Sequence, residues 1–372
     1  MPNFHSLARR VFLFCAPVFW FARLADAALV VTKGLRIRAV TTRWRSSLPN
    51  AGAGAGTADS PRTARDDEWA EAVLAAWRED AEIAACNARG EVMRSEAAMC
   101  RDGELDLHGE LYWTEGGSAP STRPGVLLVH TAVGPRDLML QWRAQCLAAQ
   151  GYVAMIVDLL GDASGAGWGA EWAAPRRAPL VSDRELSRHR MRLAMSRLCA
   201  GAAAAGAPAV DAARIGAVGY CFGGRSVLDL ARGAPAGLVG VVSMHGILDD
   251  EPLAPGVETI AAAVLLCHGD ADPFVPRESV AACVAQLRAV GSGGWQLHTY
   301  GGAPHAFTNP AQALNERDGF GYDATAAAES WRAATAFLAD GARCDLKSFS
   351  QSYMSFCVRT QTSYTRYLKL SK

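Results

Sequence analysis

The sequence predicts an α/β fold in which a mostly parallel central sheet carries helices on both faces. From residue 100 onward, short apolar runs alternate with segments whose apolar residues have helical spacing. The run at residues 125–130 is apolar up to its last position, which is typical of a central parallel strand. A second run, at residues 215–218, leads through a glycine-rich turn into a helical segment. Ligands of such sheets bind at the carboxyl ends of the strands, so chemistry is expected there.

Residues 1–65 are predicted to be a targeting leader followed by a flexible linker. The first 50 residues contain eight basic residues against a single acid, Asp26, and an apolar run at residues 11–22. That run is too short to span a bilayer about 30 Å thick, so no stable membrane span is expected. The leader fits organelle import or secretory entry, and the protein would be cytoplasmic if the leader has no targeting role. The Ser-, Pro-, Gly- and Ala-rich stretch at residues 46–65 is typical of a linker.

Residues 66–99 are predicted to be an N-terminal helical extension of unknown function. Apolar residues between Ala70 and Ile83 have helical spacing, and the acids that precede them suit the positive end of a helix dipole. Residues 100–342 are predicted to be the α/β domain. Residues 343–372 are rich in Ser, Thr and Tyr without a clear period, and we expect them to be a disordered tail.

The pattern within the α/β domain predicts each element in turn. Alternation of apolar and polar residues at 105–113 predicts a half-exposed strand pair. Further strands are predicted at residues 125–130, 152–157, 214–219, 238–244, 262–267 and 296–300, and helices at residues 136–150, 183–204, 224–232, 277–290 and 325–340. A loop is predicted from residue 159 to about residue 182. Its Trp168 and Trp172 are expected either to cover the ligand site as a lid or to pack on the surface.

The composition excludes several classes of function. The 372 residues contain 37 Lys and Arg against 37 Asp and Glu, so the charge gives no support to a nucleic-acid partner. The ten cysteines include no Cys-x-x-Cys pair, which argues against zinc ribbons and thioredoxin chemistry. A disulfide framework is not expected in a chain long enough to build a full core. We therefore expect neither a metal nor an organic cofactor.

The turn at residues 219–224, Gly-Tyr-Cys-Phe-Gly-Gly, has the strand, turn and helix setting of a nucleophile elbow. In such an elbow the nucleophile has strained backbone geometry, and the flanking glycines leave room for it. Cys221 would be the nucleophile here, although a buried cysteine is more often inert packing. The residues downstream favour the nucleophile, because an acid comes after a later strand and a histidine after another, the order found in α/β-hydrolases.

Two acids and two histidines are candidates for that order. Asp270 and Asp272 both follow the strand at residues 262–267, where a carboxylate can hold a histidine in the correct tautomer. His305 lies on the loop past the next strand, whereas the rival His298 lies inside that strand and should point from a sheet face. The residues alone leave the choice between the two acids open.

Over about residues 100–340 the chain resembles the dienelactone hydrolase family. Three stretches carry the resemblance: the turn at residues 219–224, Asp-Pro-Phe-Val-Pro at residues 272–276 and Gly-Ala-Pro-His-Ala-Phe at residues 302–307. It implies the α/β-hydrolase fold and a catalytic triad of Cys221, His305 and Asp272. The resemblance selects Asp272 over Asp270, because the family's aspartate directly precedes this Pro-Phe-Val-Pro sequence.

The resemblance also implies an oxyanion hole made by the backbone N–H groups of Phe222 and Ala132. The best-known members have a glutamate directly before the oxyanion-hole residue, where this chain has Thr131, which cannot accept a proton at neutral pH. They also have a substrate-anchoring arginine four residues past the histidine, where this chain has Asn309. We assign Thr131 and Asn309 to the substrate pocket. The loss of a bidentate carboxylate partner argues against dienelactone itself as the substrate.

These residues predict a cysteine-dependent hydrolase that acts on a small ester, lactone or thioester through an acyl-enzyme. Two alternatives stay open: a catalytically idle relative that binds a small ligand or responds to redox state, and an acyltransferase that uses the same triad. The expected partner is a small-molecule substrate, whose identity the sequence does not determine, and the oligomeric state is likewise unknown. His130, beside Thr131, is expected to end its strand in preference to adding polarity to the pocket.

Overall fold

The computed structural model describes residues 64–116, 120–162 and 168–343. Two helices, Ala64–Arg78 (α1) and Ala81–Ala88 (α2), precede the first strand. The strands are Val92–Asp102 (β1), Leu105–Glu115 (β2), Thr122–Val129 (β3), Val153–Val157 (β4), Ala209–Tyr220 (β5), Leu238–Met244 (β6), Ala263–Gly269 (β7) and Trp295–Tyr300 (β8). The later helices are Leu138–Ala149 (α3), Ala170–Ser182 (α4), Arg184–Ala200 (α5), Phe222–Arg232 (α6), Arg277–Val290 (α7), a 3₁₀ helix at Pro310–Leu314, and Ala324–Arg343 (α8).

The strands of the described residues form one eight-stranded sheet in the order β1-β2-β4-β3-β5-β6-β7-β8. β2 is antiparallel to both β1 and β4, and all other neighbours are parallel. Leu127 and Val129 of β3 lie in one core cluster, whereas Val126 and Leu128 lie in the other. Successive side chains of a strand point to opposite faces, so α5, α6 and α7 cover one face and α3 and α8 the other. The predicted α/β fold with a mostly parallel sheet is confirmed.

The helical extension ends earlier than the sequence predicts. Only α1 and α2 are helical, and residues 92–99 belong to β1, which pairs with β2 along its whole length. The prediction of a strand pair within residues 105–113 is also wrong, because that stretch is the single strand β2. Of the residues in β1 only Ala98 is fully buried. An edge strand this exposed lacks the apolar alternation by which a strand is recognised in a sequence.

The loop predicted from residue 159 to about residue 182 is only partly a loop. Residues 170–182 form α4, which contains Pro175 and Pro179. Proline usually ends a helix, because it lacks the N–H group that would bond to the preceding turn. In α4 the buried side chains of Ala173 and Leu180 hold the helix on the core despite the two missing bonds. A turn at Asp183 then separates α4 from α5.

The N-terminal helices pack on the body of the protein through α3 and the 3₁₀ helix. Ala70 and Val73 of α1 lie in the same core cluster as Trp142 of α3 and Ala311 of the 3₁₀ helix.

The predicted leader, linker and tail lie outside the described residues. Among the helices that are described, none is long and apolar enough to cross a membrane.

Candidate active site

The turn between β5 and α6 has the backbone geometry of an elbow. Cys221 occupies the left-handed region at φ 54°, which a residue with a Cβ adopts only under strain. A Cβ on Gly219 would lie 2.0 Å from the carbonyl oxygen of Gly223, and one on Gly223 would lie 2.4 Å from that of Val129. Neither position therefore tolerates a side chain. The close approach of β5, α6 and β3 places Cys221 at the carboxyl edge of the sheet.

A continuous chain of hydrogen bonds connects the predicted cysteine, histidine and acid. The distance from His305 Nε2 to Cys221 Sγ is 3.0 Å, and that from His305 Nδ1 to Asp272 Oδ2 is 2.6 Å. The other oxygen of Asp272 accepts the backbone N–H of Phe274 at 2.9 Å. His305 and Asp272 are almost completely buried, whereas Cys221 is half-buried. The pair of bonds fixes the imidazole ring between its two partners.

The structure separates the competing candidates that the sequence left open. Asp270 points away and forms an exposed ion pair with Arg277 at 3.2 Å. His298 lies within β8, as predicted, and its ring contacts Gln296 at 3.2 Å. Neither side chain contacts Cys221, so the site brings together Asp272 and His305.

Burial and hydrogen bonding act in opposite directions on His305. Burial alone would lower the pKa of the imidazole. The hydrogen bonds and negative charge of Asp272 and Cys221 more than offset this and raise the pKa of His305 to about 10. The arrangement therefore favours an imidazolium between two acidic groups.

The loop after β3 carries the two residues predicted next to the elbow, Thr131 and Ala132. Both are half-buried, and Phe222 is the first residue of α6. The Arg177 guanidinium of α4 donates to the Ala132 carbonyl at 2.7 Å. The backbone N–H of Gly169, which precedes α4, donates to the Val133 carbonyl at 3.0 Å. Two hydrogen bonds from the α4 segment thus fix the backbone of this loop.

Asn309, assigned to the pocket from the sequence, has its amide engaged with the protein. Its Nδ2 donates to Asp137 Oδ2 at 3.3 Å, and its Oδ1 accepts the N–H of Ala311 at 3.0 Å. Asp137 caps α3 by accepting the N–H of Met139 at 2.9 Å. Burial raises the pKa of Asp137 to about 6, against the lowering effect of that backbone bond. Asn309 therefore joins the histidine loop to the start of α3, and a role in substrate binding stays a prediction.

His130 is buried at the end of β3. Its Nδ1 donates to the Thr131 carbonyl at 2.6 Å, and its Nε2 accepts the N–H of Leu159 at 3.3 Å. Both ring nitrogens are used within the fold, and burial lowers the pKa of His130, so the ring is neutral. These bonds support the interpretation that His130 ends its strand.

Comparison with known proteins identifies the family. Residues 114–366 match the sequence model of the Dienelactone hydrolase family, a range that extends past the described residues. This chain belongs to that family. Membership makes it a hydrolase of ester bonds, and the mostly parallel eight-stranded sheet described above agrees with the α/β-hydrolase fold of this family.

Three relatives show the extent of the likeness. An uncharacterized protein of Caenorhabditis elegans is 37% identical over 131 residues, which are 35% of this chain and 82% of that protein. A probable 2-oxo-3-(5-oxofuran-2-ylidene)propanoate lactonase of Bradyrhizobium sp is 32% identical over 106 residues, covering 27% of this chain and only 42% of the lactonase. The crystal structure of a dienelactone hydrolase-like promiscuous phosphotriesterase from metagenomic libraries has 34% identity and a TM-score of 0.60, covering 67% of this chain and 98% of that one.

Two polar residues beside the candidate site of this dienelactone hydrolase family member were not predicted from the sequence. Arg177 lay in a segment predicted to be a loop, and no local pattern connects it to Ala132. His245 follows β6 directly and contacts His305, with ring centroids 5.4 Å apart. Its position past the carboxyl end of a strand, the rule that selects His305, could have identified it. Among the described residues, no group of three His, Cys, Asp or Glu side chains is placed to hold a metal ion.

Proposed function

We propose that this protein is a cysteine-dependent hydrolase of small esters or lactones that forms an acyl-enzyme on Cys221. The observation that carries the proposal is the chain of hydrogen bonds from Asp272 through His305 to the Cys221 sulfur. A nucleophile, a base and an acid that orients the base are the groups that acyl transfer requires. The strained elbow presents the sulfur at the N-terminus of α6, where the helix dipole favours an anion.

In the first half of the proposed reaction, the Cys221 thiolate attacks the carbonyl carbon and forms a C–S bond. His305 holds the thiol proton on Nε2, while its Nδ1–H donates to Asp272. The N–H groups of Phe222 and Ala132 stabilise the tetrahedral oxyanion. When the intermediate collapses, the C–O bond breaks and His305 gives its proton to the leaving alkoxide. The alcohol departs, or stays attached to the acyl group if the substrate is a lactone.

In the second half, water hydrolyses the thioester. His305, now neutral at Nε2, takes a proton from water as the hydroxide attacks the acyl carbon. Collapse of the second oxyanion breaks the C–S bond and releases the carboxylic acid. The proton on His305 then faces the Cys221 thiolate again, so the starting state is restored.

The proposed substrate class is a small ester or lactone. The relative from Bradyrhizobium sp is described as a probable lactonase, which supports including lactones. At the position of the family arginine, Asn309 is bonded to Asp137, so that position supplies no cation for a substrate carboxylate. We therefore expect neutral substrates to be accepted. A phosphotriester belongs in the substrate panel because of the 34% identical phosphotriesterase.

The test is steady-state hydrolysis of p-nitrophenyl acetate, a panel of small lactones and one phosphotriester by the full chain. We expect Cys221→Ala and His305→Asn each to lower kcat/KM by about 10³-fold or more. Residues that act as one catalytic unit are non-additive, so the loss of either removes most of the rate enhancement. Mass spectrometry of the rapidly quenched reaction should detect an acetyl group on the peptide that contains Cys221.

The matched control is the same histidine-to-asparagine substitution at a position outside the proposed site. His298→Asn removes an imidazole from β8 that does not contact Cys221, and we expect wild-type rates. If Cys221→Ala hydrolyses these esters as fast as the wild type does, the proposed mechanism is wrong.

A further inference from the structure

His245 occupies a turn that is in contact with the elbow. It follows β6 directly, is 1% exposed and has φ 37°, a left-handed conformation that costs energy in a residue with a Cβ. The Cys221 N–H donates to the Met244 carbonyl at 3.0 Å, and the Ile247 N–H donates to the Cys221 carbonyl at 3.4 Å. The backbone on either side of His245 is thus bonded to the nucleophile's own peptide groups.

Dense packing keeps this turn in place. A Cβ on Gly246 would lie 2.1 Å from Ser243 Oγ and 3.0 Å from the backbone of Gly224 in the first turn of α6. The turn is therefore packed closely against α6, and the two backbone hydrogen bonds to Cys221 keep it from moving away. The position of His245 relative to Cys221 is fixed by the backbone alone.

The side chain of His245 extends to the loop that carries His305. Its Nε2 is 2.8 Å from Thr308 Oγ1, and its ring meets those of His305 and Phe307 edge-on, with centroids 5.4 Å away in both cases. Of the groups that face the His245 ring, His305 and Tyr220 can ionise, and the Tyr220 ring centroid is 6.0 Å away. One imidazole thus touches the catalytic histidine and hydrogen-bonds the residue three positions further along the same loop.

The charge state of His245 suits this position. Burial, followed by the positive charge of His305, lowers the pKa of His245 well below its ordinary value. The ring is therefore neutral at neutral pH and leaves the positive charge on His305. A neutral imidazole can still share a hydrogen bond with the Thr308 hydroxyl.

We propose that His245 is a positioning residue that joins the histidine loop to the elbow and so holds His305 Nε2 within reach of the Cys221 sulfur. The inference rests on the proposed function, since it assumes that His305 serves Cys221. Its role is mechanical: the strained turn is fixed to Cys221 by backbone bonds, and the ring fixes the loop through Thr308 and His305. Small displacements of a base from its nucleophile lower the rate strongly, so such a link controls the chemical step.

The test compares three variants of the full chain with p-nitrophenyl acetate as the substrate. His245→Phe keeps a ring but loses the bond to Thr308, Thr308→Val removes the same bond from the other partner, and His245→Gln keeps a group that can bond to Thr308. We expect the Phe and Val variants to lower the acylation burst rate by about 10- to 100-fold with KM within about twofold. His245→Gln should restore most of the loss. The rate at which iodoacetamide alkylates Cys221 should fall in parallel, because it reports the pairing of Cys221 with His305 without any substrate.

His298→Phe is the matched control, since it makes the same exchange in β8 away from His305, and it should leave the rates unchanged. The inference is overturned if His245→Phe and Thr308→Val both keep wild-type burst and alkylation rates, or if His245→Gln is no better than His245→Phe. Should His245→Phe fail to fold, Thr308→Val decides alone. These outcomes differ from failure of the proposed function, in which Cys221→Ala itself would retain activity.

Discussion

At the scale of single residues, the proposed site depends on backbone positions as much as on the side chains proposed to react. The peptide groups around Ala132 must face the elbow for an oxyanion hole to form. The Ala132 carbonyl accepts a hydrogen bond from Arg177, a charged donor, and charge-assisted bonds are stronger than neutral ones. Arg177 is therefore placed to set the orientation of this loop.

We expect Arg177→Met to lower kcat for p-nitrophenyl acetate by about tenfold with little change in KM, because a shifted Ala132 stabilises the oxyanion less well. The measurement is steady-state kinetics alongside a thermal unfolding curve. Arg176→Met is the matched control, because Arg176 binds the carbonyls of Gly161 and Trp172 and leaves Ala132 untouched. Equal kinetic losses in the two variants would contradict a specific role for Arg177.

At the scale of elements, one carboxylate joins the N-terminal helices to the body of the protein. Asp80 Oδ1 caps α2 by accepting the N–H groups of Glu82 and Ile83 at 3.0 and 3.2 Å. Its Oδ2 accepts the Trp142 indole N–H at 2.9 Å and the Cys146 thiol at 3.2 Å, both on α3. The same side chain thus starts one helix and docks it on another.

Asp80→Ala should lower the free energy of unfolding by roughly 2–4 kcal/mol, the sum of a lost cap and an unpartnered indole N–H. Asp80→Ser should lose less free energy of unfolding than Asp80→Ala, because a serine hydroxyl can still cap α2. It should remain less stable than the wild type, because the hydroxyl is too short to reach α3 as well. Urea denaturation measures both. Asp183→Ala is the comparison, since Asp183 only caps α5, by accepting the N–H groups of Glu185 and Leu186. This substitution should lower the free energy of unfolding by about 1 kcal/mol. If Asp80→Ala costs no more than Asp183→Ala, Asp80 has no docking role.

At the scale of the whole molecule, the sheet gathers groups that are far apart in the sequence. Cys221 follows β5, His245 follows β6, Asp272 follows β7 and His305 follows β8. Because these four strands are parallel neighbours, their carboxyl ends lie side by side at one edge. Only the folded chain brings His305 together with Asp272 and Cys221, so this pairing contributes to the stability of the fold.

This coupling predicts how stability depends on pH. The folded pKa of His305, about 10, lies above its ordinary value of 6.5, so its pairing stabilises the fold fully below about pH 6.5 and this contribution is lost as pH rises through 10. The difference in unfolding free energy between wild type and His305→Asn should therefore shrink from pH 6.5 to pH 10, by up to a few kcal/mol.

Urea denaturation at a series of pH values measures this difference, in which the contributions of titrating groups that do not interact with His305 cancel. The same comparison, with and without His305→Asn, is repeated in a protein that carries Asp272→Asn. There the difference in unfolding free energy should depend less on pH, because one of the two partners that raise the pKa of His305 is gone. A difference that grows with pH would contradict the assigned direction of the shift.

Much of the fold and the central contacts of the site could be predicted from the sequence. β6 and α7 lie at the predicted residues, since an apolar run and a helical period are local signals. The glycines around Cys221 are also a local signal, because the elbow they permit is built from adjacent residues. The chain of hydrogen bonds from Cys221 through His305 to Asp272 is then a consequence of the order of strands in a parallel sheet.

Only the tertiary structure decided the remaining features. β1 is a strand because β2 pairs with it, and α4 is a helix because the core accepts Ala173 and Leu180, although its prolines disfavour one. The bonds of Arg177 to Ala132, Asn309 to Asp137 and His245 to Thr308 join segments without a common sequence pattern. The physical reason is the same for all of them: local patterns report each residue's preference for a backbone conformation, whereas partners distant in sequence are chosen by packing and by the need to pair buried polar groups.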